Sequence, residues 1–190
     1  MVIGLTGGIG CGKTAAAALF AEHGYVLVDA DVIARQVLMS SACRSQLVAR
    51  WGSDCLGPDG NPSRSWIGNK VFSDPAELAF LESVTHPEVA RLRKLATADS
   101  SRSYVVEIPL LFEKDLAADF DVVVCVGCSE DIRLQRLAGR GMDLTEAKKR
   151  IYSQLPLVEK VKNADFVLWN DGSIEFLKAE VAKLLQWKTR

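Results

Sequence analysis

Lys13 and Thr14 stand together at the end of Gly7-Gly8-Ile9-Gly10-Cys11-Gly12-Lys13-Thr14. This spacing fits G-x-x-x-x-G-K-[ST], a loop whose backbone wraps a polyphosphate. Its glycines allow a tight turn that points successive N–H groups at an anion. The Lys13 ammonium reaches β- and γ-phosphates, and the Thr14 hydroxyl is a ligand for Mg²⁺. Gly8, Ile9, Gly10, Cys11, Gly12, Lys13, Thr14 and Ala15 are therefore the expected nucleotide-binding residues. The setting supports this. Val2 to Thr6 is a short apolar run that predicts a buried strand. Lys13 to His23, with four successive alanines, predicts a helix closed by Gly24, and the positive end of that helix faces the same anion.

A looser dinucleotide fingerprint also fits, as Gly10-x-Gly12-x-x-Ala15 followed by Asp29 and Asp31. Two features count against it. Gly10 lies several residues past the predicted strand, and the fingerprint leaves the Lys13-Thr14 pair unexplained.

Asp29-Ala30-Asp31 ends the second predicted strand, Tyr25 to Asp29. In a doubly wound sheet, ligands collect at this edge. Two carboxylates there can orient an attacking hydroxyl, take its proton or hold Mg²⁺ through water; equally, they can cap the next helix. A second cluster, Arg133, Arg136 and Arg140, is spaced by three and four along one predicted helical face, with Arg150 and Gln154 further on. This is either a solvated cationic face or a clamp over phosphates, for which the arginine fork is well suited. Beside a phosphate loop, the clamp is the favoured reading.

These groups need a scaffold. Further strands are predicted at Ser103–Ile108, Asp121–Val126 and Asp165–Trp169. Such continuous β-branched runs suit a parallel sheet buried on both faces, and helical patterns lie between them. The expected fold is a three-layer α/β/α arrangement around a five-stranded parallel sheet. The gap from Asp31 to Ser101 far exceeds a simple crossover and predicts an inserted helical lobe.

The 190 residues carry a net charge of −1 and are 48% hydrophobic, which predicts a compact chain with no global attraction to nucleic acid or anionic membrane. There is no signal-like leader and no apolar run of spanning length, so a cytoplasmic protein is expected. The five cysteines are irregularly spaced and do not form a disulfide framework. Cys125 and Cys128 imitate half a zinc site without a second half, so they read as small residues at a strand end.

Together these residues resemble the dephospho-coenzyme A kinase family. The resemblance rests on Leu5 to Gly10 with Gly12-Lys13, on Val28 to Arg35, and on Val71-Phe72 with Leu81-Glu82 and His86-Pro87. Ile108-Pro109-Leu110-Leu111-Phe112-Glu113, the series Arg136, Arg140, Arg150 and Gln154, and Ala164-Asp165 with Asn170 complete it. It spans essentially the whole chain. It implies a P-loop kinase of one domain over 1–190: a core at 1–30, 102–128 and 164–190, a helical coenzyme-binding lobe at about 31–101, and a lid at about 129–163. The implied reaction moves the γ-phosphoryl group of ATP to the ribose 3′-hydroxyl of dephospho-coenzyme A, with Mg²⁺. The small-molecule substrates would be the partners, without nucleic acid or membrane, in a monomer or weak homo-oligomer.

The resemblance assigns Lys13, Asp31, Arg136 and Arg140 to catalysis, and Asn170 to the neighbourhood of adenine. Asp29, Asp31, Arg64, His86, Pro109 and Leu110 go to the acceptor, with His86 also suited to starting a helix at Pro87. Some positions depart from the family pattern. Glu107 stands where aspartate is usual, Asn61-Pro62-Ser63-Arg64 lacks an acidic residue before the arginine, and Asp143 to Glu146 replaces a serine-containing helix start. A nucleoside monophosphate kinase is the nearest alternative. A GTPase switch is more distant, because Asn69-Lys70-Val71-Phe72 fails at the last position of a guanine-reading motif.

Overall fold

The structure is a computed structural model that describes residues 1–187. It comprises two compact units, Met1–Asp29 with Asp99 onward, and Ala30–Ala98.

The first unit is built on five parallel strands, β1 (Val2–Gly7), β2 (Val26–Asp29), β3 (Tyr104–Glu107), β4 (Val122–Gly127) and β5 (Phe166–Trp169), in the order β2-β3-β1-β4-β5. Each expected strand is present. Every residue of β4 is buried, as its unbroken β-branched run requires. Helix α1 (Lys13–Glu22) packs against the sheet beside α9 (Ile174–Trp187). Their shared core joins Ile3, Leu5, Val124 and Val126 to Ala16, Phe20, Leu177 and Val181. Between β4 and β5 run α6 (Glu130–Ala138), α7 (Leu144–Tyr152) and α8 (Leu157–Asn163). Helix α8 lies against β1 and β4, and its Val161 packs beside Gly127. The layers are helix, sheet, helix. β1 is central, so the loop that follows it emerges at the carboxyl edge between neighbours on both sides.

The second unit is helical, as expected for the insertion. It holds α2 (Ala30–Leu38), α3 (Ser41–Trp51), α4 (Arg64–Phe72) and α5 (Pro75–Ala96). Cys43, Leu47, Cys55, Ile67 and Val71 form its core, with Trp51, Trp66 and Phe80 packed around them. Ser40, Ser63 and Asp74 cap α3, α4 and α5 through their side chains.

One expectation fails here. His86-Pro87 does not start a helix, because α5 passes through it without interruption. The true start is Asp74-Pro75, where proline at the first position loses nothing because its N–H would be unsatisfied anyway. Pro87 is exposed, so water can serve the carbonyl that its missing N–H leaves behind. Among the described residues, no helix is long and apolar enough to cross a membrane.

Candidate active site

The turn from β1 to α1 is shaped by glycines at left-handed φ. Gly12 caps α1 at φ 93°, and a Cβ there would strike the Asn170 amide. Gly7 at φ 144° lies so close to the Val126 carbonyl that no side chain fits. Lys13 is buried, and its Nζ donates to the carbonyls of Gly7 and Gly8, 3.2 Å from each. The ammonium is thus held inside the loop that a phosphate would enter.

The outer side of the loop is anchored by other elements. Arg133 Nε donates to Ile9 O at 3.0 Å, and Gln154 Oε1 accepts from Ile9 N–H at 2.9 Å. Arg136 donates to Gly10 O at 3.5 Å, to Cys11 O at 3.4 Å and to Asn170 O at 3.0 Å. The buried Asn170 side chain donates to Cys11 O at 2.8 Å. Asn170 therefore spends an amide hydrogen on the loop backbone.

Arg140 does not share the face of Arg133 and Arg136. Helix α6 ends at Ala138, and Arg140 sits exposed in the following turn, between Gly139 and Gly141. Gly141 at φ 80° and the Met142 N–H donating to Leu137 O close that helix early.

Cys11 is enclosed under the loop. Its thiol is drawn below the ordinary range, chiefly by a hydrogen bond with Cys128; burial opposes this, and the charges of Arg133 and Lys13 assist it. The partner thiol of Cys128 is pushed upward by the same bond and by burial. Among the described residues no cluster of three or more His, Cys, Asp or Glu could hold a metal ion, and all five cysteines are free and buried.

The Thr14 hydroxyl donates to the Glu107 carboxylate, 3.3 Å from Oε1 and 3.4 Å from Oε2. Asp29 is the register partner of Glu107 on β2, so two carboxylates end adjacent strands on the loop's side of the sheet. Pro109 and Leu110 follow in the turn after β3. The Pro109 carbonyl accepts from Lys160 Nζ at 2.7 Å and from Thr6 Oγ1 at 3.3 Å.

The structure thus gathers the loop, Lys13, Thr14, Arg136 and Asn170, with Asp29 on a strand neighbouring that of Glu107. In the helical unit, Asp31 lies in the first turn of α2, Arg64 is the first residue of α4, and His86 lies within α5; all three are exposed. Arg133 and Gln154 were expected in a clamp over phosphates and instead bond the backbone of the loop, while Lys160 escaped the sequence-based site. Arg133 already lay three residues before Arg136 on a predicted face, but the loop contacts of Arg133 and Gln154 span 124 and 145 residues, beyond any local pattern.

Comparison with known proteins fits this geometry. A family model described as dephospho-CoA kinase matches residues 1–175. The dephospho-CoA kinase of Syntrophotalea carbinolica is 40% identical, covering 97% of this chain and 90% of the relative. That of Streptomyces avermitilis is 42% identical, covering 94% and 89%. Among solved structures, a Thermus thermophilus protein superposes with TM-score 0.85 at 34% identity, covering 98% of this chain and 96% of its own. The Campylobacter jejuni dephospho-CoA kinase gives TM-score 0.73 at 27% identity, covering 97% and 95%. A shikimate kinase from Acinetobacter baumannii shares the fold alone, with TM-score 0.54 at 15% identity.

Proposed function

The chain belongs to the dephospho-CoA kinase family, and we propose from this that it transfers the γ-phosphoryl group of ATP to the ribose 3′-hydroxyl of dephospho-coenzyme A. The products are coenzyme A and ADP. The observation that carries the reading is the family match over residues 1–175, which takes in the phosphate loop, the helical insertion and the arginine-bearing segment.

Phosphoryl transfer runs through a loose transition state, so the protein's work is positioning and charge stabilisation. The loop amides from Gly8 to Thr14 receive the phosphates. Lys13 exchanges its bonds with the Gly7 and Gly8 carbonyls for β- and γ-phosphate oxygens. Arg136, already directed at the loop, and Arg140 offset charge on the transferring group. Asp31 orients the acceptor hydroxyl or receives its proton. Asp29, Arg64, His86, Pro109 and Leu110 contact the acceptor, while Asn170 lies toward adenine and braces the loop.

Mg²⁺ suits the Thr14 hydroxyl beside the Glu107 carboxylate, since it takes hard oxygen ligands and commonly uses one or two carboxylates plus phosphates. When bound, it neutralises phosphate charge. Glu107 is one methylene longer than the aspartate usual in the family, and its carboxylate still reaches Thr14.

In this reading the core, the helical lobe at about 31–101 and the lid at about 129–163 form one kinase domain. It works in the cytoplasm as a monomer or weak homo-oligomer.

The test is a panel of acceptors incubated with the purified protein, ATP and Mg²⁺. Coenzyme A and ADP should form in equal amounts from dephospho-coenzyme A. Turnover of nucleoside monophosphates or shikimate, with dephospho-coenzyme A untouched, would overturn the assignment.

A further inference from the structure

Peptide groups are planar and trans, so a carbonyl held on one side of the chain sends the next N–H to the other side. This rule converts the outer anchors of the loop into directions for its inner amides. Arg133 holds Ile9 O at 3.0 Å, which turns the Gly10 N–H away from α6. Asn170 and Arg136 hold Cys11 O, which turns the Gly12 N–H the same way. Gln154 takes the Ile9 N–H at 2.9 Å, which turns the Gly8 carbonyl inward. There it accepts from Lys13 Nζ and from the Cys11 N–H, each at 3.2 Å.

The fit around these anchors is close. Arg133 is only 6% exposed, and its guanidinium lies where a Cβ on Gly8 would stand. The α6 backbone at Arg133 comes within 3.1 Å of where a Cβ on Gly10 would stand.

We infer that Arg133 and Gln154 are positioning residues for the phosphate loop, gripping the peptide groups on either side of Ile9 so that the Gly10 amide faces the polyphosphate. Arg133 belongs to α6, and Gln154 follows α7. Two separate parts of the α6–α8 segment therefore set the direction of the nucleotide cradle, so moving that segment retunes the cradle. The inference rests on the proposed kinase reading for the identity of the nucleotide.

The test is the charge-neutral change Gln154→Met, with Arg133→Met beside it. ADP binding is measured by calorimetry in Mg²⁺ buffer without acceptor, and thermal midpoints are recorded for each protein. Loss of one neutral hydrogen bond corresponds to roughly fivefold in affinity. Gln154→Met should weaken ADP by about that factor, and Arg133→Met by ~10-fold or more, since a bond to a charged donor is lost. KM for dephospho-coenzyme A should stay within about twofold, as these anchors act only on the donor side. Gln154 is half-buried at a turn, so its variant folds even if Arg133→Met does not. Unchanged ADP affinity in Gln154→Met overturns the inference. Equal weakening toward ADP and dephospho-coenzyme A overturns it too, because that is the pattern of general loosening. ADP binding is read without acceptor, so this arm of the test stands by itself if the substrate assignment fails.

Discussion

Lys160 and Glu113 form an ion pair of 2.7 Å in which the ammonium is wholly enclosed. The same Nζ donates to the Pro109 carbonyl, and Glu113 Oε1 also accepts from the Leu155 N–H at 3.0 Å. One buried cation therefore ties the turn after β3 to α8, and its carboxylate partner reaches the chain just before α8. The Pro109 to Glu113 string has a structural reason beyond any contact with substrate.

Breaking this pair strands a partly buried carboxylate, one of whose oxygens is sealed from solvent. Lys160→Met should lose about 3–5 kcal/mol of stability in urea titration. Lys160→Met with Glu113→Leu should recover a large part of that loss, because no uncompensated charge remains. A single variant as stable as the unaltered protein would show that the pair is hydrated.

Lys13→Met should lower kcat at least ~100-fold, since a charge matched to the transferring group disappears. Its thermal midpoint should change little, because the lost bonds are to two carbonyls of the same loop. Steady-state kinetics and a melting curve decide the point.

Asp31→Asn should reduce kcat by ~100-fold or more while ADP affinity holds, as removal of a proton acceptor or orienting group predicts. A defect confined to substrate affinity would reassign Asp31 to binding.

Glu107→Gln removes the carboxylate charge beside Thr14 and keeps the side-chain length. The Mg²⁺ concentration giving half-maximal rate should rise ~10-fold. Titration of rate against Mg²⁺ at saturating ATP measures it; an unchanged curve would remove Glu107 from the metal's surroundings.

Asp171 has its carboxyl held below the usual range, first by the Ser129 N–H at 2.7 Å and then by the Trp169 indole. A folded-state value below the unfolded one stabilises fully above the unfolded carboxylate pKa of about 3.9 and is lost as pH falls through the folded value. Asp171→Asn should be the less stable protein at neutral pH, with the gap closing below about pH 4. Paired acid-unfolding curves test this.

The scaffold was readable in the sequence wherever burial dictates residue type. Val122 to Val126 has no polar residue because both faces of β4 are covered. The glycine run before Lys13 was readable because Gly7 and Gly12 sit where a Cβ collides. Helix ends were less legible. The α6 face stops short of Arg140 because Gly141 closes the turn, and α5 continues through Pro87, which lies exposed where water can serve the freed carbonyl. Partners distant in sequence were not legible at all. Asn170 reaches Cys11 across 159 residues and Gln154 reaches Ile9 across 145, and no periodicity records such a meeting.

The central place of β1 has a consequence for biosynthesis. Its partners Tyr104–Glu107 and Val122–Gly127 lie roughly a hundred residues downstream. At ~5–20 residues per second, the ribosome takes about 5–20 s to deliver them. Throughout that interval the nascent apolar stretch Val2–Leu5 has no neighbours to pair with, and the nucleotide cannot yet act as a folding ligand. The central strand of the sheet therefore completes its pairing only once the chain has been made as far as Gly127.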